Sequence, residues 1–234
     1  MQSEEFLPSY LHNNPISKYI KNAHKSHSLP THWNSMDCWT YINVMDQNNL
    51  KIEYNGPGEN FSDEASIRTN NPIPSEVGLF YFEITILSSG ENGCIVIGYC
   101  KSDVELNTLP GWDPDSIGYH GDDGCLYYNG RCATTLAPCY AAGDTVGCGI
   151  NFFNMEIFFT KNGIIIGKGQ FIHFETYSHD NNLINYEIVR EMYPMCGMSK
   201  NGECIVANFG TKPFMFNIDN YAEVIFANVE LKST

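Results

Sequence analysis

The sequence predicts an all-β chain folded as an antiparallel β-sandwich. Short runs are rich in aromatic and β-branched residues, Asn-Gly pairs fall between them, and no long helical stripe separates them. Leu79-Phe80-Tyr81-Phe82-Glu83-Ile84-Thr85-Ile86 is the strongest strand signal. Leu50, Ile52 and Tyr54 alternate onto one face. Trp39–Val44 and Cys94–Tyr99 read as further strands. Asn162-Gly163 separates Met155–Thr160 from Ile164–Ile166, Asn129-Gly130 follows Cys125–Tyr128, and Asn201-Gly202 precedes Glu203–Ala207. Asn-Gly suits type I′ hairpins, so three such turns indicate antiparallel sheets whose apolar faces bury one another.

Two segments depart from that pattern. Residues 1–30 form a polar arm with a small basic cluster (Lys18, Lys21, Lys25), and Pro15–His24 has the makings of one short helix. Residues 171–192 are irregular and read as a long loop or a short helix spliced between strands. No internal repeat is visible.

Composition narrows the function. The chain has 234 residues, with 27 acidic against 13 basic and a net charge of −14. Nucleic-acid affinity depends on clustered Lys and Arg, so no nucleic-acid partner is expected; docking on anionic lipid is disfavoured for the same reason. No apolar run approaches the ~18 residues of a membrane span. The first residues lack the apolar core of a signal peptide, and nine cysteines is an odd count. Both point to reduced thiols and to a cytoplasmic location, extending to the nucleus.

No catalytic motif is complete. Three Gly-x-Gly units (Gly56/Gly58, Gly147/Gly149, Gly167/Gly169) lack the third glycine and the strand-to-helix context of a dinucleotide site. Gly-x-Ser-x-Gly and Cys-x-x-Cys are absent. His120 beside Asp122 and Asp123 has the donor types of a metal or acid–base site, but Gly-Asp-Asp-Gly is also ordinary turn chemistry. The expectation is therefore a protein that is not an enzyme, with no cofactor and no metal. Trp112, in the turn-rich Leu109-Pro110-Gly111-Trp112, is either an anchor of a binding surface or a cover for one end of the core.

Ten blocks in order carry a family resemblance: Trp39–Ile42, Asn48–Tyr54, Ala65–Arg68, Asn71–Pro74, Tyr81–Ile84, Leu109–Trp112, Gly118–Gly124, Gly143–Gly149, Phe159–Gly163 and Ala207–Gly210. Together they resemble a SPRY domain, specifically that of RanBPM-type Ran-binding proteins, over roughly Leu29 to Tyr221; Leu7–Tyr10 resembles the leader before it. The resemblance implies a bent β-sandwich with a short N-terminal helical segment. It implies an interaction module that binds a peptide or a folded partner through loops at one end of the sandwich. It also implies a place in a GID/CTLH-like ubiquitin ligase, as adaptor or scaffold, with ligase subunits or a substrate receptor as partners.

Carried over by position, the binding loops are Asn55-Gly56-Pro57-Gly58, Leu109–Trp112 and Ser199-Lys200-Asn201-Gly202, flanked by Tyr54 and Tyr119. The expected organisation is an arm (1–30), a SPRY domain (31–221) with a lineage-specific insertion at 171–192, and a tail (222–234). RanBPM-type proteins continue into LisH, CTLH and CRA regions. This sequence ends soon after Tyr221, which reads as an excised fragment or a stand-alone protein. The alternatives are a secreted SPRY effector that binds a host protein and a metal- or ligand-binding enzyme using His120, Asp122 and Asp123. Oligomeric state is left open.

Overall fold

The computed structural model describes residues 7–12, 28–91, 93–135, 138–172, 183–185 and 191–232. Two sheets face each other. In chain order the strands are β1 (Trp33–Cys38), β2 (Ile42–Val44), β3 (Lys51–Tyr54), β4 (Ala65–Thr69), β5 (Leu79–Ser89), β6 (Val96–Cys100), β7 (Ser116–His120), β8 (Cys125–Tyr128), β9 (Arg131–Thr135), β10 (Thr145–Asn151), β11 (Glu156–Lys161), β12 (Ile164–Ile172), β13 (Leu183–Asn185), β14 (Tyr193–Met198) and β15 (Glu203–Asn208). One helix, α1 (Ile218–Lys232), follows. The first sheet has the order β1-β4-β14-β6-β7-β8-β9; the second has β13-β12-β11-β10-β5-β15-β3-β2. Every pairing is antiparallel except β12 with β13. Among the described residues, no helix is long and apolar enough to cross a membrane.

β5 lies near the middle of the second sheet, between β10 and β15, and both of its faces are buried. Phe82 points between the sheets, where it meets Tyr99 at 5.7 Å, Trp33 at 6.3 Å and Phe209 at 5.4 Å. Tyr81 points the other way, stacked on Phe158 at 5.8 Å and flanked by Phe214 and Phe216. A strand covered on both sides reads as a continuous apolar run rather than an alternating one, as this one does.

The outer cover comes from the two ends of the chain. A single 3₁₀ turn, Ser9–Leu11, buries Tyr10 and Leu11, and the Tyr81 backbone N–H donates to the Tyr10 hydroxyl at 3.1 Å. From the other end, Glu83 holds the chain down. Its buried carboxylate accepts the Tyr81 hydroxyl at 2.8 Å and the backbone N–H groups of Met215 and Phe216, both at 2.9 Å. α1 then lays Ile218, Ala222 and Phe226, spaced four apart on one face, against the body. Phe226 meets Phe153 edge-on at 5.8 Å.

Several expectations change. The residues taken as a tail from 222 onward form most of α1, so the packed body continues past Tyr221. The 171–192 segment is not wholly loop or helix: β12 runs through Ile172, and Leu183–Asn185 adds a parallel edge strand to it. Only Ile42–Val44 of the Trp39–Val44 run is strand, while β1 arises from a stretch with little strand character in sequence. Asn129-Gly130 and Asn162-Gly163 are true hairpin turns with both residues at positive φ. Asn201-Gly202 is not: β14 and β15 belong to different sheets, so the chain crosses the sandwich there. The expected helix at Pro15–His24 lies outside the described residues.

Removing the Glu83 carboxylate leaves two buried backbone donors without their acceptor and the Tyr81 hydroxyl with Thr160 alone. Glu83→Ala is therefore expected to cost on the order of 3 kcal/mol in urea denaturation, with early proteolytic release of the C-terminal segment. The exposed control Glu223→Ala stays within about 0.5 kcal/mol of wild type. Equal stability of the two variants would contradict this account of the strap.

Candidate functional site

At one end of the sandwich three connections converge on a cleft of about 510 Å³. The β3–β4 connection supplies Glu59, Asn60, Phe61 and Glu64; the segment before β7 supplies Leu109 and Trp112; the β14–β15 crossing supplies Ser199 and Lys200. Cys94, His120, Asp122, Asp123 and Tyr127 complete the wall.

Each connection is fixed by local chemistry. Asp63 caps the turn Phe61–Asp63, accepting the N–H groups of Glu59 at 2.9 Å and Asn60 at 3.0 Å, and so presents Phe61 to solvent, 85% exposed. The Trp112 segment lies directly on β7. Gly118 permits that approach, because a Cβ there would fall 2.0 Å from the Pro110 carbonyl oxygen. The same carbonyl accepts a hydrogen bond from His120 Nε2 at 2.9 Å. The first and third connections are stitched together: Lys200 Nζ and Asn201 Nδ2 donate to the carbonyls of Gly58 and Gly56. Gly58, at φ +63°, has no room for a Cβ beside the Ser199 carbonyl.

The wall is aromatic and acidic. Trp112, 37% exposed, meets Tyr127 at 5.0 Å and stands edge-on to His120 at 5.8 Å. Four carboxyl groups (Glu59, Glu64, Asp122, Asp123) line the cleft against one ammonium, that of Lys200. Burial pushes Glu64 up to about 7, although a backbone hydrogen bond from Leu109 opposes the shift.

Of the predicted binding residues, Leu109, Trp112, Ser199 and Lys200 line the cleft. Asn55, Pro57, Gly58 and Asn201 lie in the stitched connections beside it. Tyr54 and Tyr119 belong to the core rather than to the surface. Tyr54 is 1% exposed and donates to the Asp63 carbonyl at 2.5 Å; Tyr119 is fully buried and donates to the Pro138 carbonyl at 2.6 Å. Sequence reasoning missed Glu59, Asn60, Phe61, Glu64, Cys94 and Tyr127. Only Phe61 carried a signal, as a large aromatic in a polar turn.

The grouping of His120 with Asp122 and Asp123 also changes. Asp123 turns away to accept from Tyr127 Oη and the Cys125 N–H, both at 2.8 Å. Cys94 takes its place: its Sγ lies 2.9 Å from Asp122 Oδ1 and 3.6 Å from His120 Nδ1. A thiol beside an imidazole invites comparison with a cysteine nucleophile. Here burial raises the Cys94 thiol well above its usual range, neighbouring Asp122 raises it further, and burial lowers His120. The pair is a neutral thiol and a neutral imidazole, the reverse of an activated thiolate.

Glu203 underpins the third connection. Its Oε2 accepts the N–H groups of Ser199 at 2.6 Å and Lys200 at 2.8 Å, while Oε1 is buried without a partner among the described residues. Burial, only partly offset by those two donors, pushes Glu203 up from 4.5 to about 7. The folded protein thus holds this proton more tightly than the unfolded chain does. The stability it confers is complete below about pH 4.5 and is lost as pH rises through about 7. Urea denaturation from pH 4.5 to 8 should show stability falling across that window. Glu203→Gln should remove up to about 3 kcal/mol of the fall, and Glu64, shifted in the same direction, keeps the remainder. An unchanged slope in the variant would refute the assignment.

Comparison with known proteins bears on the family. The SPRY domain family matches residues 79–212. The chain is 38% identical over 193 residues to Ran-binding protein 10 of Danio rerio, covering 82% of this chain and 29% of that protein. It is 38% identical over 211 residues to the Ran-binding proteins 9/10 homolog of Drosophila melanogaster, covering 90% and 20%. With Homo sapiens Ran-binding protein 9 it shares 37% identity over 193 residues, covering 82% and 24%. The chain thus spans less than a third of the length of these relatives. A crystal structure of a human SPRY domain superposes with a TM-score of 0.55 at 28% identity, covering 74% of this chain and 98% of that one. The fold, the ordered motifs and the similarity over most of the chain agree: the protein belongs to the SPRY family, as a SPRY domain of the RanBPM type.

Proposed function

We propose that this interaction module is non-catalytic and works by receiving a peptide segment of a partner protein in the cleft between Phe61, Trp112 and Lys200. The convergence of three separate connections around one aromatic-rimmed cleft carries this reading. Partly exposed aromatics supply contact area at little entropic cost, and backbone groups of the stitched connections orient an extended chain. The carboxyl groups around the rim favour a basic segment, with electrostatics setting encounter rate and partner choice more than raw affinity.

Similarity to Ran-binding proteins 9 and 10 supports the finer reading of an adaptor or scaffold element in a GID/CTLH-like ubiquitin ligase, acting in the cytoplasm or nucleus. Ligase subunits or a substrate receptor are then the partners; nucleic acid and membrane are not.

Affinity purification with mass spectrometry tests this on wild type, Phe61→Ala and Trp112→Ala. Matched melting curves establish that each variant is folded. Phe61 contributes exposed surface, so its variant addresses binding without disturbing the core. The expected result is a defined partner set that falls at least roughly tenfold with either variant, in line with aromatic hot spots, and weakens as salt rises. Ligase subunits within that set support the adaptor reading. Retention of all partners by both variants would move the surface elsewhere.

A further inference from the structure

Cys94, His120 and Asp122 present a thiol, an imidazole and a carboxylate whose donor atoms all lie within 4.8 Å of one another. They come from the segment just before β6, the end of β7 and the turn after it. We propose that these three residues form a zinc site in the cleft wall, with the fourth position left to water or to a partner's donor group.

The state of His120 carries the argument. Its Nε2 faces the Pro110 carbonyl at 2.9 Å, and a carbonyl only accepts, so Nε2 bears the proton. Nδ1 is left with a lone pair, on a ring only 3% exposed, and it faces Cys94 Sγ at 3.6 Å. The thiol has one proton and two acceptors. Cys94 Sγ is 2.9 Å from Asp122 Oδ1, so a thiol proton directed there leaves Nδ1 unsatisfied in the interior. A cation among the three resolves that conflict, because Nδ1, Sγ and one carboxylate oxygen then each have a ligand bond.

A histidine that ligates through one nitrogen while donating from the other to a backbone carbonyl is the usual arrangement at metal sites. Tetrahedral zinc, with bonds of about 2.0–2.3 Å, sets its donors roughly 3.3–3.7 Å apart. The observed 3.6 Å lies inside that range and the observed 2.9 Å falls short of it, a gap that side-chain adjustment can close. Thiolate plus imidazole selects zinc over calcium or magnesium. On binding, the Cys94 S–H bond breaks, its electron pair goes to the metal and the proton leaves to solvent. All three residues line the cleft, so the uncommitted coordination position is on the side a partner would approach.

The test uses the whole chain, reduced, stripped of metal and free of any histidine tag. Zinc uptake is read by native mass spectrometry and by competition with a chromogenic chelator; Co²⁺ uptake is read by the near-ultraviolet sulfur-to-cobalt charge-transfer band. Wild type and Cys132→Ser, which removes an exposed thiol elsewhere, are expected to bind one metal ion and to show the band. Cys94→Ser should lose the band and weaken zinc binding at least tenfold; Asp122→Asn should weaken it without losing the band. Asp122 is exposed, Cys94 is half-buried and each replacement is close in size to the original, so their metal-free melting curves should match wild type. No zinc uptake by wild type, or a band that survives Cys94→Ser, would overturn the site. None of these readouts depends on a protein partner, so failure of the peptide-docking reading would leave the zinc result interpretable.

Discussion

The burial of β5 on both faces is the constraint from which the rest of the architecture follows. A sandwich needs only one apolar face per sheet. Here the second sheet is apolar on both, and Tyr81 and Phe158 on its outer side demand a cover, to which Phe216 contributes. The cover is drawn from the chain ends, through the turn at Ser9–Leu11 and through α1. A charged group in such a layer needs satisfying donors, and Glu83 finds them in Tyr81 and in the backbone of Met215 and Phe216. The polar residue that looks misplaced in the most hydrophobic strand is the one that fixes the register of the strap.

How much of this was legible depends on whether the signal was local. Asn129-Gly130 and Asn162-Gly163 announced their hairpins because positive φ at both turn residues is a property of the dipeptide. Asn201-Gly202 has the same chemistry, but turn chemistry reports a reversal of direction and not which sheet the next strand joins. β1 was missed because Trp33-Asn34-Ser35-Met36-Asp37-Cys38 neither alternates nor concentrates β-branched residues, and pairing with β4 overrides its weak propensity. α1 was missed because its buried face is as narrow as Ile218, Ala222 and Phe226.

The cleft was legible at the level of segments and not of side chains. Family resemblance implied that the connections around Leu109 and Ser199 are binding loops, and in the fold residues of both line the cleft. Tyr54 and Tyr119 flank those connections in sequence yet point inward, since neighbouring positions on a strand face opposite ways. Asp122 and Asp123, in the turn after β7, also diverge. Adjacent carboxylates look like a pair on paper, but one faces Cys94 and the other faces Tyr127. Cys94 itself lies 26 positions from His120, and only the β6–β7 pairing brings them together.

Two of the cleft's three walls are crossings between sheets. The β3–β4 connection leaves the second sheet for the first, and the β14–β15 connection returns from the first to the second. The third wall rests on β7, in the first sheet. The width of the opening is therefore geared to the spacing of the sandwich. A change of volume deep between the sheets, at Ile67 or Ile205 for instance, has a mechanical route to the rim without altering a single exposed residue. On the proposed role of the cleft, partner preference in a lineage of such domains is then free to drift through interior substitutions, while the visible surface stays the same.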